Sequence, residues 1–214
     1  MIEIETRLRV GRGIAKTEQQ ASAGALRQLK RRGHPQGPPP LVSDGFGSNR
    51  EAILLVYGQV PPYKGIGRPP TRRRPVEGLR YLQVVKHHDE RGRFLGTTKR
   101  VVFGPADEVA SLSEATSFVE RTHLTSRQMN ARLMRKGLGF SKALAMHKAA
   151  CAWEDGLYNL VRPLKTLRQE IYPEALRFQR RYEARTPAMA AGLTNHVWSV
   201  KELLRTTALL FNNS

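Results

Sequence analysis

Apolar and polar residues alternate with a period near two over the first ten positions, a pattern typical of a β-strand with one exposed face. The apolar positions of this segment are Ile2, Ile4, Leu8 and Val10. A short apolar run over residues 41–43 predicts a second, buried strand that leads into Asp44. Two runs rich in β-branched residues, 81–86 and 97–103, are joined by a polar segment and predict a hairpin.

Helical signals lie between and after these strands. Thr17 is placed to cap a helix over about residues 18–32, and Gly33 is placed to end it. Ser48 or Asn49 is placed to cap a second helix. Helices after the first are predicted over 50–57, from about 107, over 114–136 and over 197–210.

An apolar stripe with spacings of three and four residues runs from 143 to 164, which is the pattern of a helix packed on a core. Met146 and Trp153 belong to this stripe, Ser141 is placed to cap the helix, and Pro163 interrupts it. The order of strands and helices along the chain predicts an α/β domain, although periodicity alone does not select which α/β fold.

The chain is strongly basic, with 36 Lys and Arg against 18 Asp and Glu, a formal net charge of +18 and a pI near 10.9. Such an excess favours a polyanionic partner, because each neutralised phosphate releases counterions. An anionic membrane surface and non-specific adhesion are the alternatives. No apolar run approaches the roughly 20 residues that a transmembrane helix needs. The amino terminus is unlike a signal peptide, and a lone Cys151 excludes an intramolecular disulfide, so we expect a soluble protein of a reducing compartment.

Basic residues are concentrated in two segments. The proline-rich stretch 61–75 could clamp a DNA backbone, or it could be a solvated basic linker. The predicted helix over 114–136 carries further cations. The candidate DNA-binding residues in these two segments are Arg72, Arg73, Arg74, Arg121, Arg127, Arg132, Arg135 and Lys136.

Three carboxylates are candidates for a metal site. Glu120 shares one helix face with His123, Leu124 and Arg127, and a carboxylate and an arginine on one face can serve a metal ion and a phosphate together. The other two candidates are an acid that follows a strand, where α/β sheets place their chemistry, and an acid in the first strand. They are Asp44 and Glu3, and for each of the three acids an ordinary exposed surface position is the alternative.

The ordered set of motifs in this chain resembles the DDE transposases of bacterial insertion sequences, in particular the group typified by insertion sequence one. The segments that carry the resemblance are 39–45, 81–86, 119–127, 130–136, 140–142 and 153–159. The resemblance covers most of the chain and is specific through the ordered set of segments. The segment 39–45 is similar to the strand that bears the second aspartate of that family, and 119–127 is similar to the segment around its glutamate.

The resemblance implies a ribonuclease-H-like fold, a mixed sheet flanked by helices, over residues 1–170, with a C-terminal helical extension over 171–214. It implies that Glu3, Asp44 and Glu120 are catalytic residues that hold two Mg²⁺ ions, for which Mn²⁺ can substitute, and that two ions about 4 Å apart promote phosphodiester cleavage. The implied partner is double-stranded DNA, at element ends and target, with a homo-oligomer assembled on the DNA. No membrane is involved, and the implied location is the bacterial cytoplasm, at the nucleoid.

The chain departs from that family in two ways. It has Glu3 where the family has an aspartate, and it begins at that strand, without the DNA-binding region that precedes it in full-length members. We therefore expect a truncated copy with weak or absent activity, because a misplacement near 1 Å can cost about a hundredfold in rate. One alternative is a non-enzymatic basic nucleic-acid-binding protein. Another is a protein that associates with full-length transposase through the helices at 141–164.

Overall fold

The computed structural model describes residues 1–34, 37–113, 117–134, 136–172 and 181–212, with side chains described as far as residue 206. The chain forms two compact units. The first unit contains Met1 and Val10–Ser117, and the second contains Ile2–Arg9 and Phe118–Ser214. The predicted boundary at residue 170 falls inside the second unit, and the basic residues divide equally between the two.

The first unit is an α/β structure, which confirms the α/β class that the order of strands and helices predicts. Its described helices and strands, in chain order, are α1 (Glu18–Arg32), β1 (Leu41–Asp44), α2 (Ser48–Tyr57), β2 (Tyr81–His88), β3 (Phe94–Phe103) and α3 (Ala106–Ala110). Among the described residues the strands form a mixed sheet in the order β1-β2-β3. Strand β1 is parallel to β2, and β3 is antiparallel to β2 as the predicted hairpin requires.

Successive side chains of the central strand β2 point to opposite faces of the sheet, and both faces are buried over the first half of the strand. Tyr81 packs with Phe103 and with the apolar faces of α1 and α2. Leu82 and Val84 point to the opposite face and pack with Val109 of α3. The sheet is therefore covered by two helices on one face and by a short helix on the other.

Local capping signals explain where α1 begins but not where α2 begins. The Thr17 hydroxyl accepts a hydrogen bond from the Gln20 backbone N–H at 3.3 Å, and the chain leaves the helix at Gly33, both as predicted. Helix α2 begins at Ser48 without a side-chain cap, so the prediction that Ser48 or Asn49 caps it is wrong. The Asn49 side chain bonds to the end of β1 instead.

The first ten residues form a tight turn rather than the predicted strand. A single antiparallel bridge joins Ile2 and Arg9, and the Glu3 backbone N–H donates to the Leu8 carbonyl at 2.8 Å. Arg7 adopts a left-handed conformation with φ of 61°. The alternation of apolar residues does not become a strand, because the chain reverses within it and the Glu3 side chain bonds to the turn.

The second unit contains the remaining elements. In chain order they are α4 (Ser117–Met129), α5 (Leu144–Gly156), β4 (Gln169–Glu170), β5 (Tyr182–Glu183), α6 (Pro187–Ala190) and α7 (Val200–Asn212). Strands β4 and β5 form a short antiparallel pair. Helix α7 starts three residues after its predicted start. None of the helices in the described ranges combines the length and the apolar character that a membrane span requires.

Helix α4 is shorter than predicted. It ends at Met129 rather than at Gly137, because Asn130 is extended and its side chain accepts from the Arg132 N–H at 3.1 Å. This bond begins a separate 3₁₀ turn over Ala131–Leu133. The predicted first residues of the helix, 114–116, lie outside the described residues.

Helix α5 buries a different face from the predicted one. Met146 is 55% exposed, so the prediction that it belongs to the core is wrong, whereas Cys151, Glu154 and Tyr158 are buried. Ser141 does not cap this helix; its hydroxyl accepts from the Arg132 guanidinium at 2.7 Å. The buried face includes a carboxylate because an arginine lies against it, which a rule based on apolar spacing cannot detect.

Candidate functional site

Asp44 lies at the carboxyl end of β1, level with Val84 of the parallel strand β2, and its side chain is exposed. The Asn49 amide donates to the Asp44 carboxylate and to the Ser43 hydroxyl, both at 3.2 Å. The Asn49 oxygen in turn accepts from Ser22 at 2.9 Å. Asp44 is thus an oriented carboxylate open to solvent, as the sequence predicts for a residue that follows a strand.

Tyr81 completes this polar cluster from the sheet. Its hydroxyl lies 2.7 Å from the Ser43 hydroxyl. Burial raises the pKa of Tyr81 and outweighs the hydrogen bonds with Ser43 and Gln83, which lower it; the nearby Asp44 charge adds a smaller upward effect. The phenol therefore stays protonated and fixes the strand residue that precedes Asp44.

Glu3 uses its carboxylate within its own turn. Its two oxygens accept from the backbone N–H groups of Glu5 at 3.0 Å and Thr6 at 2.6 Å, and from the Thr6 hydroxyl. Partial burial raises the pKa of Glu3, but the Thr6 side chain, the two backbone donors and the Arg7 charge outweigh it, so the pKa is lowered. Glu3 is ionised at neutral pH and stabilises a turn.

Glu120 is exposed on α4. His123 and Leu124 are exposed on the same side, and Arg127 is half-buried. Ser126 is the buried residue of the helix. The predicted face with Glu120, His123, Leu124 and Arg127 is therefore an outward one.

The predicted DNA-binding residues of the second unit have different environments. Arg121 and Lys136 are exposed, and Arg132 is held by its bond to Ser141. Arg135 lies outside the described residues. Arg121 lies in α4, Arg132 lies in the 3₁₀ turn after it and Lys136 comes just beyond that turn, so all three are close along the chain to Glu120.

The arginines of the proline-rich stretch lie on a closed loop of the first unit. Arg74 pairs with Gln59 through two backbone hydrogen bonds of 2.8 and 2.9 Å, and Arg73 donates to the Gly58 carbonyl at 3.1 Å. An open depression of about 330 Å³ lies along this loop. Its lining residues are Pro61, Arg68, Pro69, Pro70, Thr71, Arg72 and Arg74.

Sequence reasoning missed the role of Arg9. Its guanidinium is buried and pairs with Glu154 and, at 3.0 Å, with Asp155, and it lies 3.8 Å from the centre of the Tyr158 ring. Asn159 forms two 3.0 Å hydrogen bonds with the Arg9 backbone. Two adjacent acids near the end of α5, a helix rich in apolar residues, were the available signal, but the residue spacing does not identify their partner.

The three predicted metal ligands are divided between the units, with Asp44 in the first and Glu3 and Glu120 in the second. Within the described ranges, no three His, Cys, Asp or Glu side chains form a group that could hold a metal ion. Binding of Mg²⁺ by these acids stays a prediction of the resemblance, and we assign no reaction step to a metal. No protein-family model, curated protein or solved structure matches the chain.

Proposed function

We propose that the protein is the DNA-processing core of a DDE-type transposase. The observation that carries the proposal is Asp44, an exposed and oriented carboxylate at the carboxyl end of β1 beside the parallel strand β2. Its position agrees with the resemblance of residues 39–45 to the second-aspartate strand of that family. An acid displayed at this edge of an α/β sheet is available to a substrate.

The second support is the pattern around Glu120. This acid is exposed on α4 with Arg127 seven positions later, and the helix is followed by Arg132 and Lys136. A segment that carries both a carboxylate and guanidinium groups is suited to binding a DNA phosphodiester, because the arginines can contact the phosphates and position the backbone. The ribonuclease-H-like fold and the Mg²⁺ dependence are parts of the proposal that rest on the resemblance.

The proposed reaction has two steps. Water attacks a phosphodiester phosphorus, the bond to the 3′-oxygen breaks, and a free 3′-hydroxyl and a 5′-phosphate remain. The freed 3′-hydroxyl then attacks a phosphodiester of a second duplex and displaces its 3′-oxygen, which leaves that strand with a new 3′-hydroxyl. The first step hydrolyses one phosphate ester bond and the second exchanges one phosphate ester bond for another, so no oxidant or reductant is needed.

We expect weak activity, because Glu3 serves its own turn. Bringing its carboxylate to another ligand would remove the hydrogen bonds from Glu5 and Thr6, each worth about 1.5–3 kcal/mol when the acceptor is charged. Partial exposure makes the lower end of that range appropriate. The Glu3→Asp variant matches the acid that the family has at this position.

The test is a nicking and strand-transfer assay on labelled duplex with Mg²⁺ or Mn²⁺, and with a chelator as the blank. It compares the natural chain, Glu3→Asp, Asp44→Asn and Glu120→Gln, with Glu77→Gln as a matched exposed acid outside the proposed set. We expect Glu3→Asp to cut best and Asp44→Asn and Glu120→Gln to abolish cutting without loss of DNA binding. If Asp44→Asn or Glu120→Gln still cuts DNA, the acid replaced in that variant is not a catalytic residue.

A second candidate function is a non-enzymatic DNA-binding protein, favoured by the net charge of +18 and by the engagement of Glu3 in its turn. It predicts duplex binding that weakens steeply with salt and does not respond to Mg²⁺ at constant ionic strength. If every variant binds duplex alike and none cuts, this candidate replaces the first.

A further inference from the structure

The loop over residues 60–73 is closed at its base and stiffened along its length. The backbone bonds between Gln59 and Arg74, at 2.9 and 2.8 Å, and the bond from Arg73 to Gly58 join its two ends. A closed surface loop of this length is an Ω-loop, a type that is frequently functional. Four prolines restrict its backbone, and they are Pro61, Pro62, Pro69 and Pro70.

The tip of this loop presents one apolar side chain. Ile66 is 90% exposed and lies between Gly65 and Gly67, which have φ of 78° and 76°. A side chain at either glycine would be strained in this left-handed conformation. The Tyr63 hydroxyl donates to the Gly67 carbonyl at 3.0 Å and closes the tip. The hydrogen bond and the two glycines hold Ile66 outward.

Cations precede and follow the exposed isoleucine along the chain. Lys64 and Arg68 flank the tip along the chain, and Arg72 and Arg74 line the adjoining depression with Arg68. The segment 59–74 contains no Asp or Glu. The loop thus combines a depression lined by arginines with an exposed apolar side chain at its tip.

We propose that the loop 60–73 is a wedge that inserts Ile66 between two base pairs of duplex DNA, while Lys64 and Arg68 contact the flanking phosphates. Proteins that kink DNA insert such apolar side chains between base steps and hold the backbone with cations on either side. Unstacking a step costs a few kcal/mol, and the contacts that the bent duplex makes with the groove offset it. This inference rests on duplex DNA being the ligand in the proposed function.

An anionic membrane is the competing partner for basic and apolar side chains together. One fully buried isoleucine contributes about 1.5–3 kcal/mol, which is small for anchoring to a bilayer but sufficient to fill a single opened base step. The cations are mostly arginines that line a groove, a geometry that suits a continuous phosphate backbone. These features favour DNA.

Ligase-mediated circularisation of short duplexes tests the wedge without knowledge of a target sequence. Fragments near or below the DNA persistence length of about 150 base pairs close poorly unless a bound protein bends them. The full chain is compared with Ile66→Ala, Ile66→Leu and the matched control Leu55→Ala, an exposed leucine of α2 in the same unit. Anisotropy on the same duplex gives the affinity, and circular dichroism checks the fold.

We expect the natural chain and Leu55→Ala to increase circle formation at least about tenfold. Ile66→Ala should lose most of that increase while its duplex affinity falls less than about tenfold, and Ile66→Leu should retain it. In Lys64→Gln or Arg68→Gln the slope of log affinity against log salt should decrease by about one.

Two results would overturn the inference while leaving the proposed function intact. One is duplex binding by the natural chain without any gain in circles, and the other is an Ile66→Ala variant that bends DNA as well as the natural chain. Binding to phosphatidylserine vesicles that depends on Ile66, without bending, would assign the loop to a membrane instead. Failure of all variants to bind duplex would reject the proposed function and this inference together.

Discussion

Arg9 and Glu154 form a buried ion pair although 145 positions separate them in the chain. Their side chains are only 4% and 3% exposed. Ser126 donates a second hydrogen bond to Glu154 at 2.9 Å, and the Tyr158 ring covers the guanidinium. The pair joins the amino-terminal turn to α4 and α5, so it links three segments of the second unit.

Breaking this pair should destabilise the second unit strongly. In Arg9→Met the Glu154 carboxylate stays buried without its cation, which costs about 3–5 kcal/mol. Chemical denaturation followed by tryptophan fluorescence reports on this unit specifically, because both tryptophans, Trp153 and Trp198, lie in it. We expect the midpoint to fall in Arg9→Met and to recover partly in the double variant Arg9→Met/Glu154→Met.

The ion pair between Arg181 and Glu170 is the matched control, since both residues are exposed and belong to the same unit. Replacing Arg181 with Gln should shift the denaturation midpoint much less than Arg9→Met does, because an exposed ion pair contributes little to stability. An Arg9→Met variant as stable as Arg181→Gln would show that the buried pair does not hold the turn in place.

The turn at Glu3 should lose stability in acid. Partial burial opposes ionisation, but the Thr6 and Glu5 donors prevail and place the pKa below its ordinary value of about 4.3. The stabilisation is therefore complete above that value and is lost as the pH falls through the lowered pKa. In Thr6→Val, which lacks the donor hydroxyl, the pKa measured by carboxyl NMR should rise. An unchanged pKa would show that the hydroxyl bond is not made in solution.

Arg72 and Arg73 should differ in DNA binding although they are neighbours. Arg72 lines the open depression, whereas the Arg73 guanidinium donates to the Gly58 carbonyl. Arg72→Gln should lower the slope of log affinity against log salt by about one, the value for a lost phosphate contact. Arg73→Gln should change it less. Equal effects of the two variants would indicate that only the net charge of the loop matters.

Three tyrosines should ionise late. Burial raises the pKa of Tyr57, and it also raises those of Tyr81 and Tyr158, where nearby charges and hydrogen bonds act as smaller influences. Because these folded-state pKa values are raised, the stabilisation is present below the ordinary value of about 10 and is lost as the pH rises through the folded-state values. Titration of the absorbance near 295 nm in the natural chain and in each Tyr→Phe variant identifies the ionisation step of the tyrosine that was replaced. A step in the ordinary range would contradict the burial of that phenol.

The elements that were predicted correctly depend on residues close together in the chain. Helix α1 has its cap at Thr17 and its end at Gly33, so the signals for both ends lie within a few residues of the helix. The hairpin of β2 and β3 follows from two β-branched runs joined by a short polar segment. The position of Glu120, His123 and Leu124 on one side of α4 follows from helical periodicity.

The sequence alone determined the α/β class, the basic character and the identity of the candidate acids, because composition and local periodicity carry that information. The tertiary structure decided which polar groups are buried and what they bind. Glu154 is buried because Arg9 pairs with it. The Asn49 side chain donates to Asp44 instead of capping α2, and the Glu3 carboxylate accepts hydrogen bonds within its own turn. Burial of a charge depends on a partner brought close by folding, and a partner 145 positions away leaves no mark in the local pattern.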